Sequence, residues 1–375
     1  MEISVLCKVV DNFGDIGVAW RMVKQLELNL RRSEKQWAQN AKINLIVDDL
    51  ESFNKINNQV DVSKNFQIVE NIQIYYWKAE EFCYKEFSGK WEKLQIILEC
   101  FQCGRPEWME KILFDDGLEK TVNIIMIDYL TAEDYAEDFH KLQSLTRSAK
   151  VQKVNFMPGF TEKTGGLIID DFWNEPFERN KNGPVLCFTY EGEWLGLLKG
   201  VEKAQKEIDK NLEFYVAQGR GKQSVLDASK NIKELKIKEL PFVNQTEWDC
   251  FMKNCSVLFI RGEESMSRAC LSGIPFVWHA YPQSDEYQLV KVKALLEKLR
   301  PYFEPEDFSK IEDLWLLMNS EKSLITDEKL ESAVYNFMIL QDKLAEGFKN
   351  FSDKLRKNGD LTVNLMTFID KNYII

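Results

Sequence analysis

Short apolar, β-branched runs alternate along the chain with longer amphipathic segments. Residues 3–10 read as a strand, and residues 18–31 as a helix, because Met22, Val23, Leu26 and Leu30 recur at helical spacing. Residues 43–47, 72–77, 94–99 and 122–129 read as further strands. Apolar runs of this continuity suit a parallel sheet covered on both faces. Residues 170–184 are polar and turn-rich, which predicts a linker. The pattern then restarts, with strands at 185–190, 213–217, 256–260 and 275–278 and helices at 194–209, 246–253 and 265–272. From about residue 285 the chain reads as mostly helical. The expectation is an α/β protein of two doubly wound halves, with ligands at the carboxyl ends of strands in a cleft between them.

At 375 residues the chain has room for two or three domains. Its 24 Phe, 10 Trp and 12 Tyr can fill sizeable cores. No apolar run approaches the ~18 residues of a transmembrane helix. Residues 1–10 enter a strand-like run without a basic region and a long apolar stretch, which predicts a cytoplasmic location. A net charge of −11 argues against general nucleic-acid binding, since counterion release needs clustered Lys and Arg. An acidic surface better suits a basic partner, or serves solubility alone. The eight Cys are scattered and read as reduced core thiols. Cys100 and Cys103 form one CxxC, but His140 and His279, the only histidines, lie far from it in sequence, so structural zinc is not expected. A redox site is weak too, because Gly104-Arg105-Pro106 follows as a turn.

Four segments could carry chemistry. Val10-Asp11-Asn12-Phe13-Gly14-Asp15-Ile16-Gly17 joins the first predicted strand to the first helix. Its spacing is not GxGxxG, so a dinucleotide fingerprint is absent. Gly14 and Gly17 would let a ligand approach closely. Asp15 alone would read as a helix cap. With Asp11 beside the same glycine turn, it points to a carboxylate that holds a cationic acceptor or removes its proton. Arg261-Gly262-Glu263-Glu264-Ser265 is again strand, glycine turn and helix start. Helix amides, Ser265 and Arg261 would favour a phosphate. The two Glu suit sugar hydroxyls better, and a solvated acidic first turn explains the pattern equally well. Pro158-Gly159-Phe160 to Gly165-Gly166-Leu167 could line the cleft or act as a hinge, with a plain structural loop the better expectation. Tyr190, Phe242 and Gln245 follow predicted strands and could stack on and read a nucleobase, although singly each would pass as packing or a cap.

The run Val9-Val10-Asp11-Asn12-Phe13-Gly14-Asp15-Ile16-Gly17-Val18-Ala19-Trp20-Arg21 resembles the N-terminal signature of EarP, the family of protein-arginine rhamnosyltransferases that modify bacterial elongation factor P. Phe156-Met157-Pro158-Gly159-Phe160-Thr161, Thr164-Gly165-Gly166-Leu167, Arg261-Gly262-Glu263-Glu264-Ser265 and Pro275-Phe276-Val277-Trp278-His279-Ala280-Tyr281-Pro282-Gln283 are similar to its other blocks. The resemblance implies a GT-B fold, two Rossmann-like domains facing across a cleft. Residues 1–180 would be the acceptor-side domain, 181–350 the nucleotide-sugar domain, and 351–375 a helix packing back on the first. It implies inverting transfer of rhamnose from dTDP-β-L-rhamnose to an arginine of elongation factor P, with no metal, no further cofactor, no nucleic acid and no membrane. Asp15 matches the general base, Asp11 its partner carboxylate and Glu263 an essential acid. Asn12, Phe13, Gly14 and Gly17 would line the loop near the cleft. Tyr190, Phe242, Gln245, Arg261, Glu264 and Ser265 match positions associated with the dTDP moiety. Glu264 departs from the Asp of many members.

These residue types fit that chemistry. A guanidinium has a pKa above ~12, so a carboxylate cannot deprotonate it readily at rest. Asp11 and Asp15 would orient it at the anomeric carbon, and Asp15 would take the proton as the C–N bond forms. Helix amides and Arg261 would stabilise the departing dTDP from an oxocarbenium-like transition state. The alternatives are a GT-B glycosyltransferase acting on a hydroxyl, or a nucleotide-sugar-binding protein without turnover. A dehydrogenase is weaker, for want of the pyrophosphate glycines.

Overall fold

The computed structural model describes residues 1–10, 14–175, 177–208, 211–321 and 324–374. It divides into two units, Met1–Asp170 with Asn358–Ile375, and Asp171–Lys357. The first contains β1 (Glu2–Cys7), β2 (Lys42–Val47), β3 (Phe66–Val69), β4 (Ile72–Tyr76), β5 (Ile96–Cys100), β6 (Val122–Ile127), β7 (Gln143–Ser144) and β8 (Val151–Phe156). They form one sheet in the order β3-β4-β2-β1-β5-β6-β8-β7. The six inner strands run parallel, and β3 and β7 are antiparallel edges. Strands β1, β2 and β5 are buried on both faces almost throughout, which is why their sequences read as mostly apolar runs. Strand order reverses between β1 and β5, and sheets of this kind bind ligands at the carboxyl ends beside that point.

Strand β1 stops at Cys7, short of the expected residue 10. The next amides leave the ladder for carboxylates, with Val9 N donating to Asp48 Oδ1 and Val10 N to Asp15 Oδ2, both at 2.8 Å. The helix that follows, Gly14–Arg32, starts earlier than the expected residue 18 and buries Ile16, Ala19, Trp20, Val23, Leu26 and Leu30. The C-terminal helix, Leu361–Tyr373, adds Leu361, Leu365 and Ile369 to the same core. Its cap, Asp360, accepts from Thr362 N and Val363 N, and through its other oxygen from Ile169 N at 2.7 Å. The segment that ends the glycine-rich loop is thus fastened to the start of the C-terminal helix, with Leu361 N also donating to Leu167 O at 2.7 Å. Gly166 has φ +84°, and a Cβ there would sit 2.6 Å from Gly359 O.

The second unit holds β9 (Val185–Cys187), β10 (Glu213–Ala217), β11 (Lys236–Leu240), β12 (Val257–Arg261) and β13 (Phe276–His279). All pair in parallel, in the order β11-β10-β9-β12-β13, and the direction reverses between β9 and β12. The segment read as a linker, 170–184, is largely part of this unit's fold. It includes a short helix, Asp171–Asn174, whose Trp173 is fully buried, and Lys253 Nζ lies 3.9 Å from the centre of the Phe172 ring. From Tyr287 the chain is helical, as its pattern predicts.

Candidate active site

In the first unit the reversal point presents Asp15. It stands in the first turn of the helix Gly14–Arg32 and is only 4 % exposed. Its Oδ2 accepts from Val10 N at 2.8 Å and its Oδ1 from the Tyr129 hydroxyl at 3.2 Å. A carboxylate withdrawn from water but bonded at both oxygens has a fixed plane, which a base or cation ligand needs. Gly14 is exposed, and Gly17 is buried on the helix. Asp11, Asn12 and Phe13 lie outside the described residues. Beneath Asp15, burial pushes the Cys7 and Cys100 thiols far above their ordinary range, and Cys103 up to about 12. They are protonated packing groups, as the scattered cysteines suggested.

In the second unit the reversal point presents Arg261, Glu263, Glu264 and Ser265. Gly262, at φ +74° and ψ 155°, turns the chain from β12 into the helix Glu263–Ser272. Ser265 is buried in its first turn, where backbone N–H groups lack helical partners. The Arg261 guanidinium lies between two rings, 4.5 Å from the centres of both Phe188 and Tyr190. Its buried Nε–H has no partner among the described residues, so ring faces rather than a carboxylate hold the cation. Glu263 faces Lys291 and Glu264 faces Arg268, each at 3.8 Å, so part of the acidic first turn is spent on ion pairs. Tyr190 packs edge-on against His279 and Tyr281, and its N–H donates to His279 Nδ1 at 3.2 Å. Burial, with the Arg261 charge adding, pushes His279 down to about 3, so it is a neutral acceptor. Phe242 is 60 % exposed and Gln245 opens the helix Gln245–Lys253, both after β11 at the same end of the sheet.

The structure thus brings Tyr190 and Arg261 into direct contact and sets Glu263, Glu264 and Ser265 on the adjoining turn. Sequence reasoning did not assign a role to Phe188, His279 or Tyr129. His279 stood inside a motif already singled out, whereas Phe188 and Tyr129 carried no signal beyond following a strand. A hollow of about 620 Å³ elsewhere in the first unit, against His140, Asn364 and Phe368, contains none of the expected site residues. Among the described residues no group of three or more His, Cys, Asp or Glu is placed to hold a metal ion, and no helix is long and apolar enough to cross a membrane.

Two mainly parallel sheets, each with its candidate site residues at the strand reversal, are the architecture of the GT-B fold class. Solved structures agree. Arabidopsis thaliana UGT89C1, complexed with UDP-L-rhamnose, matches with a TM-score of 0.56 over 100 % of this chain and 99 % of its own, at 10 % identity. An EarP structure concerned with arginine glycosylation of translation elongation factor EF-P matches with a TM-score of 0.60 over 99 % of both chains, at 17 % identity. Within that class the chain belongs to the family Elongation-Factor P (EF-P) rhamnosyltransferase EarP, whose profile matches residues 3–183 and 175–370. The protein-arginine rhamnosyltransferase of Shewanella oneidensis is 28 % identical, covering 98 % of both chains. That of Pseudomonas aeruginosa is 26 % identical, covering 84 % of this chain and 86 % of its own.

Proposed function

We propose that the protein transfers L-rhamnose from dTDP-β-L-rhamnose to an arginine side chain of elongation factor P, with inversion and without a metal ion. The observation that carries this reading is the family match, which runs through both units and covers both strand-end sites. The second unit would hold the donor. Tyr190, Phe242 and Gln245 face the nucleobase, and Arg261, Ser265 and the amides of the helix Glu263–Ser272 take the diphosphate. Glu263 and Glu264 accept from hydroxyls of the donor. The first unit would hold the guanidinium, gripped by Asp15 with Asp11. The guanidinium is too basic to lose its proton beforehand. As the C–N bond forms its nitrogen acidifies, and Asp15 takes the proton. The charge growing on the departing dTDP meets Arg261 and the helix amides.

The test mixes purified protein, dTDP-L-rhamnose and unmodified elongation factor P, followed by mass spectrometry of the acceptor. One deoxyhexose on one arginine is the expected product. Sugar on a hydroxyl would establish a different acceptor class, and donor binding without any product would establish a sensor.

A further inference from the structure

Asp15 is held by a side chain from a distant part of the sequence. Strands β1, β5 and β6 are neighbours, and their carboxyl ends lead to Asp15, Phe101 and Tyr129 in turn. Past β5, Phe101 and Gln102 have φ +57° and +52°, a left-handed conformation that residues other than glycine rarely adopt. That turn does two things. It stacks the Phe101 ring on the Tyr129 ring, with centres 4.8 Å apart and planes 24° from parallel. It also sends Gln102 Nε2 to Asp128 Oδ2 at 2.9 Å, while Phe101 N donates to Ile127 O at 2.7 Å. The loop after β6 is thus braced by the loop after β5. The braced Tyr129 is still 44 % exposed, and it directs its hydroxyl to Asp15 Oδ1 at 3.2 Å.

We propose that Tyr129 is a positioning residue for Asp15, kept in place by Phe101. The proposal rests on the reading of Asp15 as the base that meets the guanidinium. Val10 N holds one carboxylate oxygen and the Tyr129 hydroxyl the other. The phenol fixes the second oxygen and so the plane of the group. Unlike the backbone amide, a hydroxyl both donates and accepts, so it can yield its hold on Oδ1 when a guanidinium N–H arrives. Tyr129 acts through Asp15 and not on the reacting atoms. A misplaced base costs turnover without weakening the donor.

The experiment measures steady-state rhamnosylation of elongation factor P by wild type, Tyr129→Phe, Phe101→Ala, the double variant and Asp15→Asn. Tyr129→Phe keeps the ring and loses only the hydroxyl. It should lower kcat roughly 10- to 100-fold, the worth of a hydrogen bond to a charged group, with the donor KM and the thermal midpoint unchanged. Phe101→Ala should lower kcat less. The kcat of the double variant should be no lower than that of Tyr129→Phe, because Phe101 bears on Asp15 through the hydroxyl that is already gone. A Tyr129→Phe enzyme within twofold of an active wild type, beside an inactive Asp15→Asn, overturns the positioning role alone. Additive losses in the double variant overturn the coupling to Phe101. A wild type that transfers no sugar overturns the functional reading, and the positioning role with it.

Discussion

Asp15 and Arg261 differ in how they are held, and that difference sets what their loss should do. Asp15 is buried and bonded at both oxygens. Asp15→Asn preserves shape but removes the charge that grips a cation and the lone pair that accepts its proton. Turnover should fall roughly 10²- to 10⁴-fold, the usual worth of a general base, with dTDP affinity within twofold of wild type. Rhamnose transfer at the wild-type rate would remove Asp15 from the mechanism. Arg261 is held by the faces of Phe188 and Tyr190. Arg261→Lys keeps the charge but loses the flat group that stacks and the fork that meets a phosphate at two points. The Kd for dTDP, read by calorimetry, should rise roughly tenfold, about the worth of a cation–π contact. An unchanged Kd would show that the diphosphate lies elsewhere. At this scale the sequence exposed the residues whose type is unusual for their place, such as two Asp beside a strand-end glycine. Phe101, Tyr129, Phe188 and His279 gain their roles from neighbours on other strands, and periodicity carries no trace of that.

The strands most legible in the sequence are those buried on both faces. The pattern places residues 43–47, 122–129 and 213–217 within two residues of the observed strand ends, because burial keeps most of their side chains apolar. The strands β3, β7, β8 and β11 do not stand out in the pattern. Three are edges, and Val-Gln-Lys-Val-Asn-Phe of β8 mixes polar residues into its run because it lies next to the β7 edge. Residues 94–95 fell in the same apolar run as β5 but precede the strand, with Leu94 closing a one-turn helix, Trp91–Leu94. The C-terminal helix depends on a feature invisible to periodicity. Asp360 caps it and also binds Ile169 N, so one carboxylate fastens both the helix and the glycine-rich loop. Burial pushes this carboxyl above its ordinary value, and three amide donors offset that cost in part. Asp360→Ala removes the cap and leaves the Ile169 amide unpaired, which should cost about 2 kcal/mol in urea unfolding. Asp360→Asn retains a good cap and should cost about half of that. Equal stability of the Ala variant and wild type would show that the loop finds other partners.

Each unit holds one of the chain's two histidines in a neutral form, His279 buried and His140 half-buried, and this gives the whole molecule an acid sensitivity. In the first unit burial pushes His140 down to about 4, and its Nδ1 accepts from Met157 N at 3.1 Å. In the second, burial and Arg261 push His279 down to about 3. An unfolded chain releases both imidazoles to an ordinary pKa near 6.5. As pH falls below about 6.5 the unfolded state takes up protons that the folded state refuses, so stability is full above that pH and declines towards the folded values. Carboxylates of ordinary pKa stay largely ionised down to about pH 5, and the upward-shifted Asp360, common to wild type and variant, cancels from their comparison. His279 alone should remove about 1 kcal/mol of unfolding free energy between pH 7 and 5.5, with His140 adding in the same direction. Urea unfolding of wild type and His279→Gln at both values separates the contributions. The glutamine can accept from Tyr190 N but does not titrate, so its pH dependence should be shallower by that amount. An identical slope in the two proteins would show that His279 is protonated in the fold, and a charged imidazole beside Arg261 would then have to be written into the donor site.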